Sequence, residues 1–289
     1  MTERRFACTQ CGQCCNRAPE LELGEAAALA DVFVLRLLMR IYSLPCSVSD
    51  YLTSDQPRDQ ANAKFYQTKR LLSAFAATSW PANVRRDGRF VEYVQYLSLS
   101  VLPLDLGTGA CNALEAARCS IYPRRPLSCR TVPLHYSRAE AFAARDLDLF
   151  VATPGYACAT GDDAPLVISQ SSIIDQAMLA ARAEALTRAQ SDQSWKTAIV
   201  KAMKAERYGL PIPRGVEAEA ARGALTASML GAWSVAEAAG MIKQAEARRL
   251  VAAQCNLIEQ ESQRDQLSAD VRVTLGEMHR DYSAALANR

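Results

Sequence analysis

Apolar positions in the first hundred residues recur at helical spacing and then change period. From about Gly24 to Tyr42 they predict a helix closed by Pro45, and Asp59 to Ala77 predicts a second, stopped by Trp80-Pro81. Gly88 then opens Arg89-Phe90-Val91-Glu92-Tyr93-Val94-Gln95-Tyr96-Leu97-Ser98-Leu99. This stretch is rich in aromatic and β-branched residues and alternates in part, which predicts a strand or a pair of strands. Pro103 and the Gly107-Thr108-Gly109 turn follow and lead directly into Cys111.

From about Pro165 the composition shifts to Ala, Glu, Gln and Arg, and the spacing becomes helical throughout. Ser172 to Tyr208 predicts helix with Trp195, Ile199 and Met203 on one face, ended by Gly209-Leu210-Pro211-Ile212-Pro213-Arg214-Gly215. Ser234 with Glu237 reads as a capping box opening the next helix, through Ile242, Leu250 and Leu257. Leu267, Val271, Leu275, Met278 and Tyr282 mark the last. The expected fold is therefore mostly α with a small β element (α+β). It divides into a loop-rich cysteine domain over residues 1–165 and an α-helical domain over 166–289, whose faces pack as a plain bundle, meet a protein substrate or partner, or pair in a homo-oligomer.

Charge narrows the function classes. With 33 Lys+Arg against 31 Asp+Glu, the net +2 gives no electrostatic footprint for nucleic acid or for a membrane surface. The apolar stretch Leu29 to Leu44 is interrupted by Asp31, Arg36 and Arg40 and is shorter than the about 20 residues of a membrane span. No apolar secretory core precedes the first cysteines, so a cytoplasmic address is expected. In that reducing compartment clustered cysteines serve more often as ligands or redox groups than as disulfides.

Nine of the ten cysteines fall before residue 165. Cys8, Cys11, Cys14 and Cys15 form the run Cys8-Thr9-Gln10-Cys11-Gly12-Gln13-Cys14-Cys15, in which each CxxC step lets two thiolates converge on one ion. Gly12 can adopt positive φ and turn backbone amides toward sulfur. The CxxCxxC spacing matches ferredoxin loops, but adjacent Cys15 stands where a ferredoxin's fourth cysteine would come later, before proline. Side chains of neighbouring residues usually diverge, which assigns Cys14 and Cys15 to different ions or one of them to a supporting role. Cys111, Cys119 and Cys129 would return to the first loop, with Cys158 as the eighth candidate. Eight sulfurs permit two four-thiolate sites or one polynuclear cluster. Arg125 and Arg130, with Arg118 and Arg124, would offset the thiolate charge; Arg130 adjoins a candidate ligand. His135 is a lone candidate ligand or acid/base group, and Cys46 and Cys255 read as core residues.

Two of these runs, Cys8 to Cys15 (CxxCGxCC) and Cys119-Ser120-Ile121-Tyr122-Pro123-Arg124-Arg125-Pro126-Leu127-Ser128-Cys129-Arg130, resemble the YkgJ family of cysteine-cluster proteins, described as zinc- or iron-chelating. The likeness covers roughly the first 160 residues and departs at Asn112 to Arg118, where the family carries a short glycine turn. It reaches more distantly to the flagellin lysine-N-methylases, whose cysteines are linked to an iron-sulfur centre. The resemblance implies metal chelation. Two functions follow as alternatives. One is an iron-sulfur protein with redox or protein-modifying activity; the other is a non-catalytic zinc module that stabilises a helical interaction surface. No GxGxxG loop, Walker loop or CxxxCxxC run accompanies the cysteines, so an organic cofactor is not announced.

Overall fold

The computed structural model describes residues 3–16, 18–51, 58–136, 140–170, 172–211 and 224–288. In chain order these form β1 (Arg4–Arg5), α1 (Leu23–Ala26), β2 (Leu35–Pro45), α2 (Val48–Tyr51), α3 (Arg58–Phe75), β3 (Thr78–Arg86), β4 (Arg89–Pro103), β5 (Leu114–Glu115) and β6 (Arg118–Cys119). They continue with α4 (Leu127–Arg130), α5 (Ala143–Val151), β7 (Leu166–Ser169), β8 (Ser172–Ile173), α6 (Gln176–Ser191), α7 (Gln193–Lys204), β9 (Leu225–Ser228), α8 (Met229–Ala238), α9 (Gln244–Ser262) and α10 (Ala269–Ala287).

The fold is mixed α+β, which corrects the expectation of a mostly α chain with a small β element. Helix accounts for 47% and strand for 20%, and among the described residues the strands make three antiparallel sheets ordered β1-β7-β8, β3-β4-β2-β9 and β5-β6. The largest departure is at Leu35–Pro45, expected as the second half of a helix. Only Leu23–Ala26 and a following 3-10 turn are helical; the rest is an eleven-residue strand inside the four-stranded sheet. Phe33, Val34, Leu35, Leu37, Leu38 and Met39 are all buried, so the run is covered on both faces, and a continuous apolar run of this kind fits a central strand as well as a helix. Trp80-Pro81 does not terminate α3, which ends at Phe75, but lies within β3 at the sheet's edge, where proline's missing N–H costs no ladder bond. Asp87 and Gly88, both at positive φ, form the tight turn between β3 and β4, with Arg86 opposite Arg89.

Two compact units interleave along the chain: Met1–Leu35 with Leu102–Arg188 and Arg249–Arg289, and Arg36–Val101 with Ala189–Arg248. The second unit holds the four-stranded sheet, α3, α7 and α8. Leu44, Phe65 and Tyr96 make one of its cores. The helix expected over Ser172 to Tyr208 begins as strand β8 and breaks at Asp192 into α6 and α7, yet Trp195, Ile199 and Met203 share the buried face as the spacing requires. The Trp195 indole donates to the Ala232 carbonyl (3.0 Å), tying α7 to α8. Ser234 lies inside α8; the cap is Ser228, whose hydroxyl accepts from the Leu230 amide at 3.2 Å. Of the expected breaker, residues 212–215 lie outside the described residues.

The first unit carries the cysteine loops. Phe6, Leu134, Ala143, Leu147, Val167, Ile168, Ile173 and Met178 form a core beneath them, and Cys158 packs against it. In the same unit α10 runs as its stripe predicts, with Leu275, Met278 and Tyr282 buried. Gln254 of α9, fully buried, fastens the segment before β2: its amide accepts from the Leu35 N–H (2.7 Å) and donates to the carbonyls of Ala30 (2.6 Å) and Phe33 (2.7 Å). Replacing it leaves three buried backbone groups without partners, each costing roughly 1–3 kcal/mol. Gln254→Leu, which preserves volume, is therefore expected to lower unfolding free energy by at least about 2 kcal/mol in urea titration; a loss below about 0.5 kcal/mol would contradict this role.

Candidate metal centre

The N-terminal loop is pinned at both ends. Ala7 and Ala159 exchange backbone hydrogen bonds (2.8 and 3.1 Å), and the Thr9 hydroxyl donates to the Ala157 carbonyl at 2.7 Å. At the far end the Cys111 N–H donates to the Cys15 carbonyl at 2.8 Å. Between these points Gly12 has φ +75°, and a Cβ there would stand 2.7 Å from the Ala117 carbonyl oxygen. Only glycine combines that backbone with that approach, so Gly12 lets the first loop close on the β5–β6 hairpin.

The hairpin places the second group. Leu114 pairs with Cys119, and the Leu114 N–H donates to the Cys111 carbonyl at 2.9 Å. Its tip uses Ala116 (φ 47°) and Ala117 (φ 63°), a left-handed conformation that costs an L-residue on the order of 1–2 kcal/mol. This is the segment that departs from the family's glycine turn. The hairpin forms there nonetheless. Cys129 is carried by α4, a single turn entered through Pro126. The Leu127 N–H at its start donates to the half-buried Glu25 carboxylate (2.6 Å), whose pKa desolvation pushes up. Sequence reading missed Glu25, one of two acids, with Glu22, in the otherwise apolar stretch Leu21 to Leu29.

All ten cysteines are free thiols, and the eight candidates lie in one unit. Cys158 faces the charges of Cys11, Cys14 and Cys8, while Cys15 faces those of Cys111 and Cys129, and Cys119 lies within reach of Cys111 and Cys129. Cys14 and Cys15 do not diverge as neighbours usually do. Cys15 gives its S–H to the Cys14 sulfur, which draws Cys14 down to about 6 and pushes Cys15 up. Backbone hydrogen bonds from Gln13 and Ala157 lower Cys11, as the loop's role of turning amides toward sulfur predicts. Burial raises Cys111 and Cys158 and drives Cys129 up to about 12. Among the described residues no three such donors stand close enough to hold an ion as they lie.

Arg125 faces both Cys14 and Cys129, and its guanidinium lies 4.1 Å over the Tyr122 ring. Arg130, although next to Cys129 in sequence, pairs with Glu184 at 2.8 Å, and Arg124 pairs with Asp31 at 3.4 Å. The His135 ring lies against that of Tyr136, tilted by 38° with centroids 4.4 Å apart, and its carbonyl accepts from Arg182 at 2.8 Å. Cys255 is buried as expected, 3.4 Å from the Ser283 hydroxyl. Cys46, expected in the core, is exposed just beyond β2, where its N–H donates to the Glu92 carbonyl at 2.9 Å.

Residues 7–148, just under half of the chain, match the CxxCxxCC family model, described as a "Putative zinc- or iron-chelating domain". That span includes every candidate cysteine except Cys158. No curated protein and no solved structure matches. Among the described residues no helix is long and apolar enough to cross a membrane.

Thiolate, not thiol, is alkylated, so a lowered and a raised cysteine of this site label apart. In metal-free protein, iodoacetamide labelling of Cys14 should rise as pH passes through about 6 and level off above it, while Cys129, at about 12, stays nearly unlabelled at pH 8. Peptide mass spectrometry reads both. Equal labelling at pH 8 would contradict the assigned environments.

Proposed function

We propose that this chain is a metal-binding protein whose clustered thiolates hold an iron-sulfur cluster. The zinc- or iron-chelating character is supported by the family match over residues 7–148. The carrying observation is that three segments distant in sequence, at Cys8–Cys15, Cys111–Cys129 and Cys158, bring their cysteines into one compact unit through backbone pairing. An all-sulfur donor set fits soft metals such as zinc and iron-sulfur clusters. The CxxCxxC spacing and the amides directed at Cys11 favour the cluster, because hydrogen bonds to sulfur stabilise bound thiolate. The finer likeness to YkgJ proteins and flagellin lysine-N-methylases rests on the motif residues alone and points the same way.

The residues named would divide the work. The cysteines ligate, Gln13 and Ala157 present N–H groups to Cys11, Glu25 holds the turn bearing Cys129, and Arg125 offsets negative charge at Cys14 and Cys129. A cluster, when bound, supplies electron transfer or an iron site for a substrate.

A zinc reading rests on the neighbourhood of sulfurs in fours, the closed set of structural zinc that four-cysteine clusters share. Zinc would staple the loops with an apparent binding energy of roughly 10–16 kcal/mol in comparable small sites. Purification without oxygen separates the two. The cluster reading expects brown protein with iron and acid-labile sulfide, lost in Cys11→Ser and retained in Cys255→Ser. Colourless protein with stoichiometric zinc overturns it in favour of the second reading. Equal metal loss in both variants would overturn the ligand assignment itself.

A further inference from the structure

The eight sulfurs are not one evenly shared group. The N-terminal loop from Ala7 to Thr9 is sewn to residues 157–159, through the Ala7–Ala159 pair and the Thr9–Ala157 bond. Cys15, one residue past Cys14, is instead sewn to Cys111, which continues into the hairpin bearing Cys119. Electrostatic neighbours follow the same division: Cys158 with Cys8, Cys11 and Cys14, and Cys129 with Cys111, Cys119 and, through its charge, Cys15. The two groups meet at the adjacent Cys14 and Cys15. Arg125 faces one member of each.

We propose that the chain builds two separate metal centres side by side, the first on Cys8, Cys11, Cys14 and Cys158 and the second on Cys15, Cys111, Cys119 and Cys129, with Arg125 as the shared counter-charge at their border. This deepens the metal-binding reading and rests on it. It accounts for the doubled CC at the end of the first run: each of the two adjacent cysteines closes a different centre, so the chain passes from one metal to the next in a single residue. It also gives Cys158, which lies outside the matched family span, a defined place as the fourth ligand of the first centre. Two neighbouring four-thiolate centres repel, since each carries net negative charge whether it holds zinc or a cluster, and a guanidinium facing both lowers that repulsion. Stacking on Tyr122 keeps Arg125 in place.

Cadmium, a thiophilic spectroscopic probe, tests the division on the full chain without deciding between zinc and iron. The metal-free protein is reloaded with Cd2+ under argon and examined by native mass spectrometry and 113Cd NMR. Wild type should hold two Cd2+ and show two resonances in the tetrathiolate range. Cys158→Ser should retain one ion and lose the resonance of the first centre; Cys119→Ser should retain one and lose the other. Arg125→Ala should still bind two, with the second dissociating at least several-fold faster. One ion in wild type, or loss of both ions in either single variant, overturns the division and leaves a single shared cluster. If a variant fails to fold, the wild-type resonance count alone decides. Retention of no cadmium at all would instead overturn the metal-binding reading on which the division rests.

Discussion

Crowding of sulfur is the constraint from which the rest of this region follows. Eight cysteines are brought into one unit by backbone pairing, and several are half-buried, so ionising them together is opposed by desolvation and by mutual repulsion. The raised Cys111, Cys129 and Cys158 express that opposition. The lowered Cys14 and Cys11 show where it is locally relieved, by the Cys15 thiol in one case and by backbone amides in the other. A single arginine facing Cys14 and Cys129 cannot balance the whole group. A bound cation can, and its arrival would release the protons that burial now retains.

The scaffold prepares this closure with small local devices. Gly12 permits the approach of the first loop to the hairpin, and the two alanines at positive φ carry the cost of that hairpin's tight turn. The Glu25 carboxylate sets the start of the turn bearing Cys129, much as Gln254 sets the segment before β2 from the opposite end of the unit's sequence. Both are polar side chains serving backbone groups, Gln254 fully buried and Glu25 half-buried, and each links residues more than a hundred positions apart in a way that no short window of sequence records.

Legibility followed the range of the interactions. The cysteine set was readable because ligand spacing is local, and α3, α7 and α10 because their apolar stripes repeat at helical steps. The strand at Leu35–Pro45 was not, because a run buried on both faces has no period to distinguish it from a buried helix. Trp80-Pro81 looked like a stop since proline usually is one, and only the sheet order reveals an edge position that tolerates it. Ser234 imitated a cap, while the true cap Ser228 belongs to a strand end that sequence reading did not find. The grouping of Cys158 with the first loop was equally hidden, since it depends on the Ala7–Ala159 pairing.

The central claim is that sulfur atoms from these separate segments close on common inorganic centres. X-ray absorption at the metal edge of protein purified without oxygen reads it most directly. Coordination by four sulfurs at about 2.3 Å, with no nitrogen or oxygen in the first shell, is the predicted result. A first shell dominated by nitrogen or oxygen, or protein that carries no metal to measure, would contradict it.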